Sequence, residues 1–449
     1  MPRGITRRLF DLAWPIIGLN VLQVLALAVD TAMVGRTPGS EAALTGMGYG
    51  SQLVFLLMVA MIGLTVGTVA FIARASGAGH DDRAAHILQQ SVQLTIVVGV
   101  AVAVFGNLMA VTLLTWLGAN AETLPEALDY FRPLLVGTVF NYLNILFAAA
   151  LRGVGNTRLA FTVALVMNLL NVVFNYGLIL GNYGLPAMGN QGAAIGTVLA
   201  QACAAGLMVY FLWRGRAHGL TLRFGFRAID RALFRDLLRV GWPAAADMLV
   251  LNAAFLSIVG MLGHLDQTAV AAHSIGLRVQ ALAFVPGMSI SQAVGAMVGQ
   301  ALGGSDVARA RAVVRSGIVL NMLVMSTLGL ILIFLDASIV AAFGVADGSD
   351  LGELAKMWMR LLGAGMPIVG VYIALTGLLQ GAGATMSSLR INFWTTIAVQ
   401  IPASYILGFP LGLGAFGVWV AFPATFGLKL LWVTLTYRAA AWARTGVDA

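Results

Sequence analysis

The chain has 449 residues, 59% of them hydrophobic and only 10% charged, with a mean hydropathy of +0.90. A water-soluble protein of this length covers its surface with far more charge, so composition excludes a soluble globular fold and places the chain in a membrane. The net charge of +8 does not point to nucleic acid, because the basic residues cluster at the ends of apolar runs; their expected partner is the lipid bilayer.

A helix needs about 20 apolar residues to cross the hydrocarbon core. Twelve such runs occur, at 9–35, 43–73, 87–117, 126–151, 158–181, 190–213, 236–262, 268–302, 312–335, 353–379, 388–409 and 413–437. The first follows Arg7 and Arg8 and is too long for the core of a cleavable signal peptide. The expected fold is an all-α polytopic membrane protein with 12 transmembrane helices in two pseudo-symmetric six-helix bundles. Residues 1–213 form the first bundle, 214–235 a basic cytoplasmic linker, and 236–449 the second.

Arginines mark one side: Arg3, Arg7 and Arg8, then Arg74, Arg83, Arg152 and Arg158, then Arg214, Arg216, Arg223, Arg227, Arg231 and Arg235 in the linker. Arg309, Arg311, Arg390, Arg438 and Arg444 continue it, whereas Glu41, Glu122, Glu126, Asp266, Asp347, Asp350 and Glu353 mark the other. Basic-inside orientation puts both termini in the cytoplasm, in the cell's inner membrane.

The two halves repeat. A shift of 228 residues brings Trp14-Pro15 onto Trp242-Pro243, Gly35 onto Gly263, Gln52 onto Gln280, Gly67 onto Gly295 and Arg83-Ala84 onto Arg311-Ala312. Leu151-x-Gly153-x-Gly155-x-Thr157 still falls on Leu379-x-Gly381-x-Gly383-x-Thr385 without a gap. Repeated halves are a transporter architecture. Glycines four apart, such as Gly46/Gly50 and Gly377/Gly381, suit close helix packing.

Polar groups inside a bilayer are costly and so are candidates for function. The first run carries Asn20, Gln23 and Asp30 on one helical face, the fourth Asn141 and Asn144, the fifth Asn168, Asn171 and Asn175, and the sixth Thr197 and Gln201. The repeat acts as an internal control. Asn20, Gln23 and Asp30 correspond to Met248, Leu251 and Ile258, Asn171 and Asn175 to Val399 and Ala403, and Thr197 and Gln201 to Phe422 and Phe426. A carboxyl group held out of water either takes up a proton or needs a cation beside it, which makes Asp30 the strongest candidate. Asn171, Asn175 and Thr197 join it as expected ion partners; Asn20, Gln23, Asn141, Asn144, Asn168 and Gln201 are expected to line the substrate cavity. The bland alternative is that the amides only glue helices together. In the second half Asp247 and Arg278 form a candidate buried pair, with a structural role favoured. Pro15 interrupts the hydrogen-bond ladder of the first run and is a candidate hinge.

No catalytic cluster stands out. Cys203 is the single cysteine, and His80, His86, His218 and His264 do not pair at metal-ligand spacing. The expectation is no enzyme, no cofactor and no metal beyond Na⁺ at Asp30.

The Trp-Pro opening of the first run, the stretch Val29-Asp30-Thr31-Ala32-Met33-Val34-Gly35, the motif Leu151-Arg152-Gly153-x-Gly155-Asn156-Thr157 and Gly192-Ala193-Ala194 together resemble the multidrug and toxic compound extrusion (MATE) family over nearly the whole chain. The resemblance implies two six-helix bundles that export small, often cationic or amphipathic organic compounds in exchange for H⁺ or Na⁺, as a monomer. Likeness to the DNA-damage-inducible branch implies a cation site at Asp30, Asn171 and Thr197, a bend at Pro15 and a drug contact at Gln23. The chain departs from that pattern at Asn175, where the family has Asp, so ion choice and stoichiometry do not transfer. A flippase for lipid-linked sugars, of the same superfamily, would need more cationic residues within the membrane than Arg278. A non-transporting receptor or scaffold is the alternative of another class.

Overall fold

The computed structural model describes residues 3–37, 40–215, 217, 219–223, 225, 228–346 and 348–443. Arg216, Arg227, Arg444, His218 and Asp347, used above for orientation or metal spacing, lie outside them. Regular structure among the described residues is helical, apart from one isolated bridge between Ala217 and Leu220.

In chain order the helices are α1 (Arg3–Val34), α2 (Ser40–Gly77), α3 (Asp81–Trp116), α4 (Thr123–Val136), α5 (Thr138–Val154), α6 (Thr157–Leu180) and α7 (Gly189–Trp213). They continue as α8 (Arg231–Leu265), α9 (Gln267–Gly303), α10 (Val307–Phe334), α11 (Asp336–Ala342), α12 (Asp350–Gly381), α13 (Thr385–Phe393), α14 (Ile401–Gly408) and α15 (Gly414–Arg438). Ten of these are long and apolar enough to span a membrane by themselves, and α4 with α5 passes as a bent pair. The eleventh apolar run of the sequence is α13 and α14, joined by a π-helical stretch, Trp394–Gln400.

Both irregular spans have a local cause. The expected single span at 126–151 is bent by 55° between α4 and α5. Pro133 offers no N–H to the preceding turn, and at Gly137 a Cβ would run into Val198 of α7. The π-helical stretch ends just before Pro402, whose missing donor leaves a carbonyl of that stretch without its usual partner. Pro15, by contrast, sits inside a helix that runs on without interruption.

Helix ends follow local chemistry. Asn156, Asp266, Asp306 and Ser349 accept hydrogen bonds from the first turns of α6, α9, α10 and α12. Gly155 (φ +83) and Gly383 (φ +75) are left-handed at equivalent places of the repeat.

The chain forms two compact units, Gly18–Gly241 and Met1–Ile17 with Trp242–Ala449. Their boundaries fall inside α1 and α8, each two residues or fewer from Pro15 or Pro243, and not at the expected limits of 213 and 236. In Gly18–Gly241, α2 packs on α3, α4 and α5, and α6 on α7. The first part of α8 also belongs here: a Cβ on Gly241 would lie 2.8 Å from the Gly63 carbonyl oxygen. In the other unit α12 packs against α9, α10 and α15, and Leu9, Leu12, Ala13 and Ile16 of α1 join its core at helical spacing.

The glycines set how close the helices come. A Cβ on Gly46 would sit 2.6 Å from the Ala127 backbone nitrogen, and one on Gly381 would collide with the backbone of Gly295. The α9 and α12 backbones therefore touch, as small-residue packing in membranes allows.

The linker is shorter than expected, because α8 begins at Arg231. It is tied down within its unit: Gln89 donates to the Gly225 carbonyl at 2.7 Å, Gln90 to the Ala228 carbonyl at 3.0 Å, and Arg223 pairs with Asp82 at 2.6 Å. Asp230 caps α8, accepting from the Ala232 and Leu233 N–H groups at 3.1 Å. The Leu233 N–H and the adjacent His86 hold the Asp230 carboxyl below the usual carboxylate value.

Substitution of Gly381 by Val is expected to cost about 3 kcal/mol or to prevent folding, since backbone cannot yield as a side chain can. Gly206→Ala, where a Cβ meets nothing within 4 Å, is expected to be neutral or stabilising by up to about 1 kcal/mol. Thermal unfolding of the two purified variants in detergent measures the contrast.

Candidate ion-coupling site

In Gly18–Gly241 three helices bring polar side chains to one buried point. Asp30 lies four residues before the end of α1 and is 6% exposed; Asn171 and Asn175, one turn apart on α6, are 5% and 0% exposed. Asn175 donates from Nδ2 to Asp30 Oδ1 at 2.6 Å. Thr197 of α7 places its hydroxyl 3.5 Å from Asp30 Oδ2 and 2.8 Å from the Ala193 carbonyl, and it accepts from Asn171 Nδ2 at 3.1 Å. One hydroxyl proton cannot serve both acceptors, so Asp30 Oδ2 is weakly supplied. The Oδ1 atoms of Asn171 and Asn175 are buried without a hydrogen-bond partner. The cluster thus holds more acceptors than donors.

The helix approach is built in by glycine. A Cβ at Gly196, beside Thr197, would overlap Asn175 Oδ1, and one at Gly192 would strike the Leu178 carbonyl. Only with these two glycines can α7 lie close enough to α6 for the four side chains to meet.

An excess of oxygen acceptors around a carboxylate suits a hard monovalent cation or a proton. It does not suit a divalent transition metal; no group of three or more His, Cys, Asp or Glu side chains able to hold a metal occurs among the described residues.

The remaining candidates do not join the cluster. Gln23 is exposed, so it does not share the buried position of Asp30 on α1, and Asn20 and Asn141 are half-buried. Asn168 donates to the Ala164 carbonyl of its own helix at 2.8 Å. Asn144 ties α5 to α7 by donating to the Gln201 backbone carbonyl at 2.8 Å, so that Gln201 takes part through its main chain. Sequence reasoning missed Tyr130 of α4, a buried phenol within electrostatic reach of Asp30. Nothing in its place near one end of the fourth apolar run marked it out.

In the other unit Asp247 is buried as expected, but Arg278 is exposed and does not pair with it. Ser388 of α13 donates to Asp247 Oδ2 at 3.0 Å, and the buried cation near it is Lys429 of α15. Lys429 is one of two lysines in the chain; its position in the middle of the last apolar run was the signal that could have found it.

Two sequence-related halves of apolar helices, with polar side chains converging inside each unit, define a multi-pass α-helical membrane transporter. The MatE family model matches twice, over residues 15–177 and 243–406, with starts 228 residues apart. The chain belongs to the MatE family, the multidrug and toxic compound extrusion transporters. It is 28% identical over 443 residues to the probable multidrug resistance protein NorM of Thermotoga maritima, covering 99% of this chain and 94% of the relative. It is 27% identical to the probable multidrug resistance protein YoeA of Bacillus subtilis, covering 94% and 91%. A crystal structure of MATE in the bent conformation superposes with a TM-score of 0.90 at 22% identity, covering 98% of this chain and 97% of that one. An outward-facing multidrug resistance MATE family transporter gives 0.89 at 22%, covering 97% and 96%. The fold is that of these transporters, 12 transmembrane helices in two bundles.

Asn175→Ala removes the shortest hydrogen bond to Asp30 and is expected to cost about 1–2 kcal/mol of stability. Gly196→Val, which crowds Asn175 away from Asp30, is expected to cost at least as much. Thermal unfolding of the purified variants checks both.

Proposed function

We propose that this chain exports small organic compounds, cationic or amphipathic, across the cytoplasmic membrane in exchange for H⁺ or Na⁺, and that Asp30, Asn171, Asn175 and Thr197 form the ion site. Drug export is supported by the relatives, NorM and YoeA, which are described as multidrug resistance proteins. The observation that carries the coupling is Asp30: among the described residues of Gly18–Gly241 it is the one buried acidic side chain, and amide and hydroxyl groups from α6 and α7 meet it.

The physical cycle follows from the excess of acceptors. An ion entering the cluster supplies the charge or proton that Asp30 lacks, and the hydrogen bonds from Asn175 and Thr197 rearrange around it. Since these bonds tie α1 to α6 and α7, ion entry changes the packing of α1, and the substrate is released. One charge crossing 100 mV contributes about 2.3 kcal/mol. With about 1.4 kcal/mol per tenfold, one ion sustains a gradient of roughly 40-fold for an uncharged substrate; exchange for a monovalent organic cation moves no net charge and is driven by the ion's own concentration gradient.

Asn175 in place of a second carboxylate leaves the cluster with one acidic group, which favours one ion per cycle. The orientation with both termini in the cytoplasm is part of the same proposal, and rests on the arginine distribution.

Asp30→Asn keeps the shape and hydrogen-bonding capacity of the side chain but removes its charge. It is expected to abolish ion-driven efflux of a fluorescent organic cation from proteoliposomes, tested under separate pH and Na⁺ gradients, while the protein stays monodisperse. Undiminished gradient-driven efflux by Asp30→Asn would refute the role of this residue.

A further inference from the structure

Among the described residues there is one further cluster that buries both an acid and a base. Asp247 of α8 is 7% exposed and Lys429 of α15 is 1% exposed. They lie within electrostatic reach of one another, yet the Lys429 ammonium makes no ion pair within 4.0 Å. It rests over aromatic faces instead, 4.8 Å from the Phe426 ring centroid and 6.0 Å from that of Tyr372. Tyr372 and Phe426 stand edge to face at 5.5 Å.

The acid is held from α13. Ser388 donates to Asp247 Oδ2 at 3.0 Å, the Asn392 amide faces the carboxylate, and the Tyr372 hydroxyl donates to Asn392 Oδ1 at 2.7 Å. Asp247 Oδ1 accepts no well-formed hydrogen bond. A carboxylate, an amide oxygen, hydroxyls and two ring faces are the components of a pocket for a monovalent cation. The positive charge is already there, tethered to the chain by the lysine stem. Asp247 and Lys429 together are neutral, so a metal ion entering beside them would leave an uncompensated charge in a low-dielectric interior.

We propose that Lys429 is the resident cation of this cluster: its ammonium closes the Asp247 site to mobile monovalent cations, so that the Asp30 cluster is the one place where a coupling ion exchanges. The second clause rests on the function proposed above; the first stands without it. The groups that set the charge of the site are Asp247, Lys429 and Tyr372, with Ser388 and Asn392 as neutral partners.

The test removes the tethered charge in an Asp30→Asn background, so that no ion bound at Asp30 contributes. Full-length protein in lipid nanodiscs is titrated with NaCl against N-methylglucamine chloride at constant ionic strength, and thermal unfolding is followed by tryptophan fluorescence. Asp30→Asn alone should show no Na⁺ shift. Asp30→Asn with Lys429→Met should gain a rise in Tm of about 3 °C or more at saturating Na⁺, and further addition of Asp247→Asn should abolish it. The proposal is overturned if the folded Lys429→Met variant gains no Na⁺ response, or if Asp30→Asn with Lys429 intact already has one. Should Lys429→Met fail to fold, adding Asp247→Asn removes the acid together with its partner and should restore monodisperse protein; continued misfolding of that pair overturns the proposal equally. Failure of the Asp30 reading would show separately, as unaltered transport by Asp30→Asn alone.

Discussion

A carboxylate buried within a membrane-spanning bundle has to be satisfied by the protein, since no bulk solvent reaches it. At Asp30 that requirement ties together three helices distant in sequence. Asn175 supplies one strong hydrogen bond, Thr197 a weak one, and Asn171 supports Thr197 from behind. The supply is incomplete, with two amide oxygens left unpartnered in the same place. Unpartnered amide oxygens occur at helix-tying residues as well, at Asn144, Asn190 and Asn321; what sets this cluster apart is the buried carboxylate beside them. The shortfall is what an arriving proton or cation would fill, so the local chemistry and the proposed coupling rest on the same feature.

The repeat sharpens that argument, because two units built from one ancestral pattern meet buried charge differently. In Gly18–Gly241 a single acid is surrounded by neutral donors and acceptors. In the other unit the position equivalent to Asp30 is Ile258, and a separate acid, Asp247, is accompanied by a buried ammonium. The surrounding helices need close glycine packing in both: of Gly67 and Gly295, which correspond in the repeat, a Cβ on the first would lie 3.0 Å from the Leu237 carbonyl oxygen and one on the second 2.9 Å from that of Gly377, both too close. Packing demands are therefore common to the two units, whereas the treatment of charge is not.

Much of this was legible in the sequence for simple reasons. Apolar runs of about 20 residues are dictated by bilayer thickness, so the twelve spans could be found from composition. Asp30, Asn171, Asn175 and Thr197 could be grouped because the sibling half carries apolar residues at their counterparts. What could not be read was set by tertiary neighbours. Gln23 shares a helical face with Asp30 in projection, but one turn or two along α1 the neighbours change and it is exposed. Arg278 looked like a partner for Asp247 because both fell at mid-run; Lys429, far along the chain, is the cation that α15 brings near. The bend at Gly137 depends on Pro133 and on the crowding of Val198, a contact between helices that no local pattern announces.

The contact between Gly196 and Asn175 shows how an ion could be felt beyond its own site. Asn175 cannot retreat toward α7, because its Oδ1 already lies against Gly196. If an ion takes the place of the Asn175 amide on Asp30, the displaced side chain must move along α6 or α7 must give way. Close-packed interiors respond to such a demand by shifting whole elements between alternative packings rather than by stretching. The absence of a side chain at residue 196 therefore does two things at once: it allows the cluster to form, and it removes the slack that would let the cluster change alone.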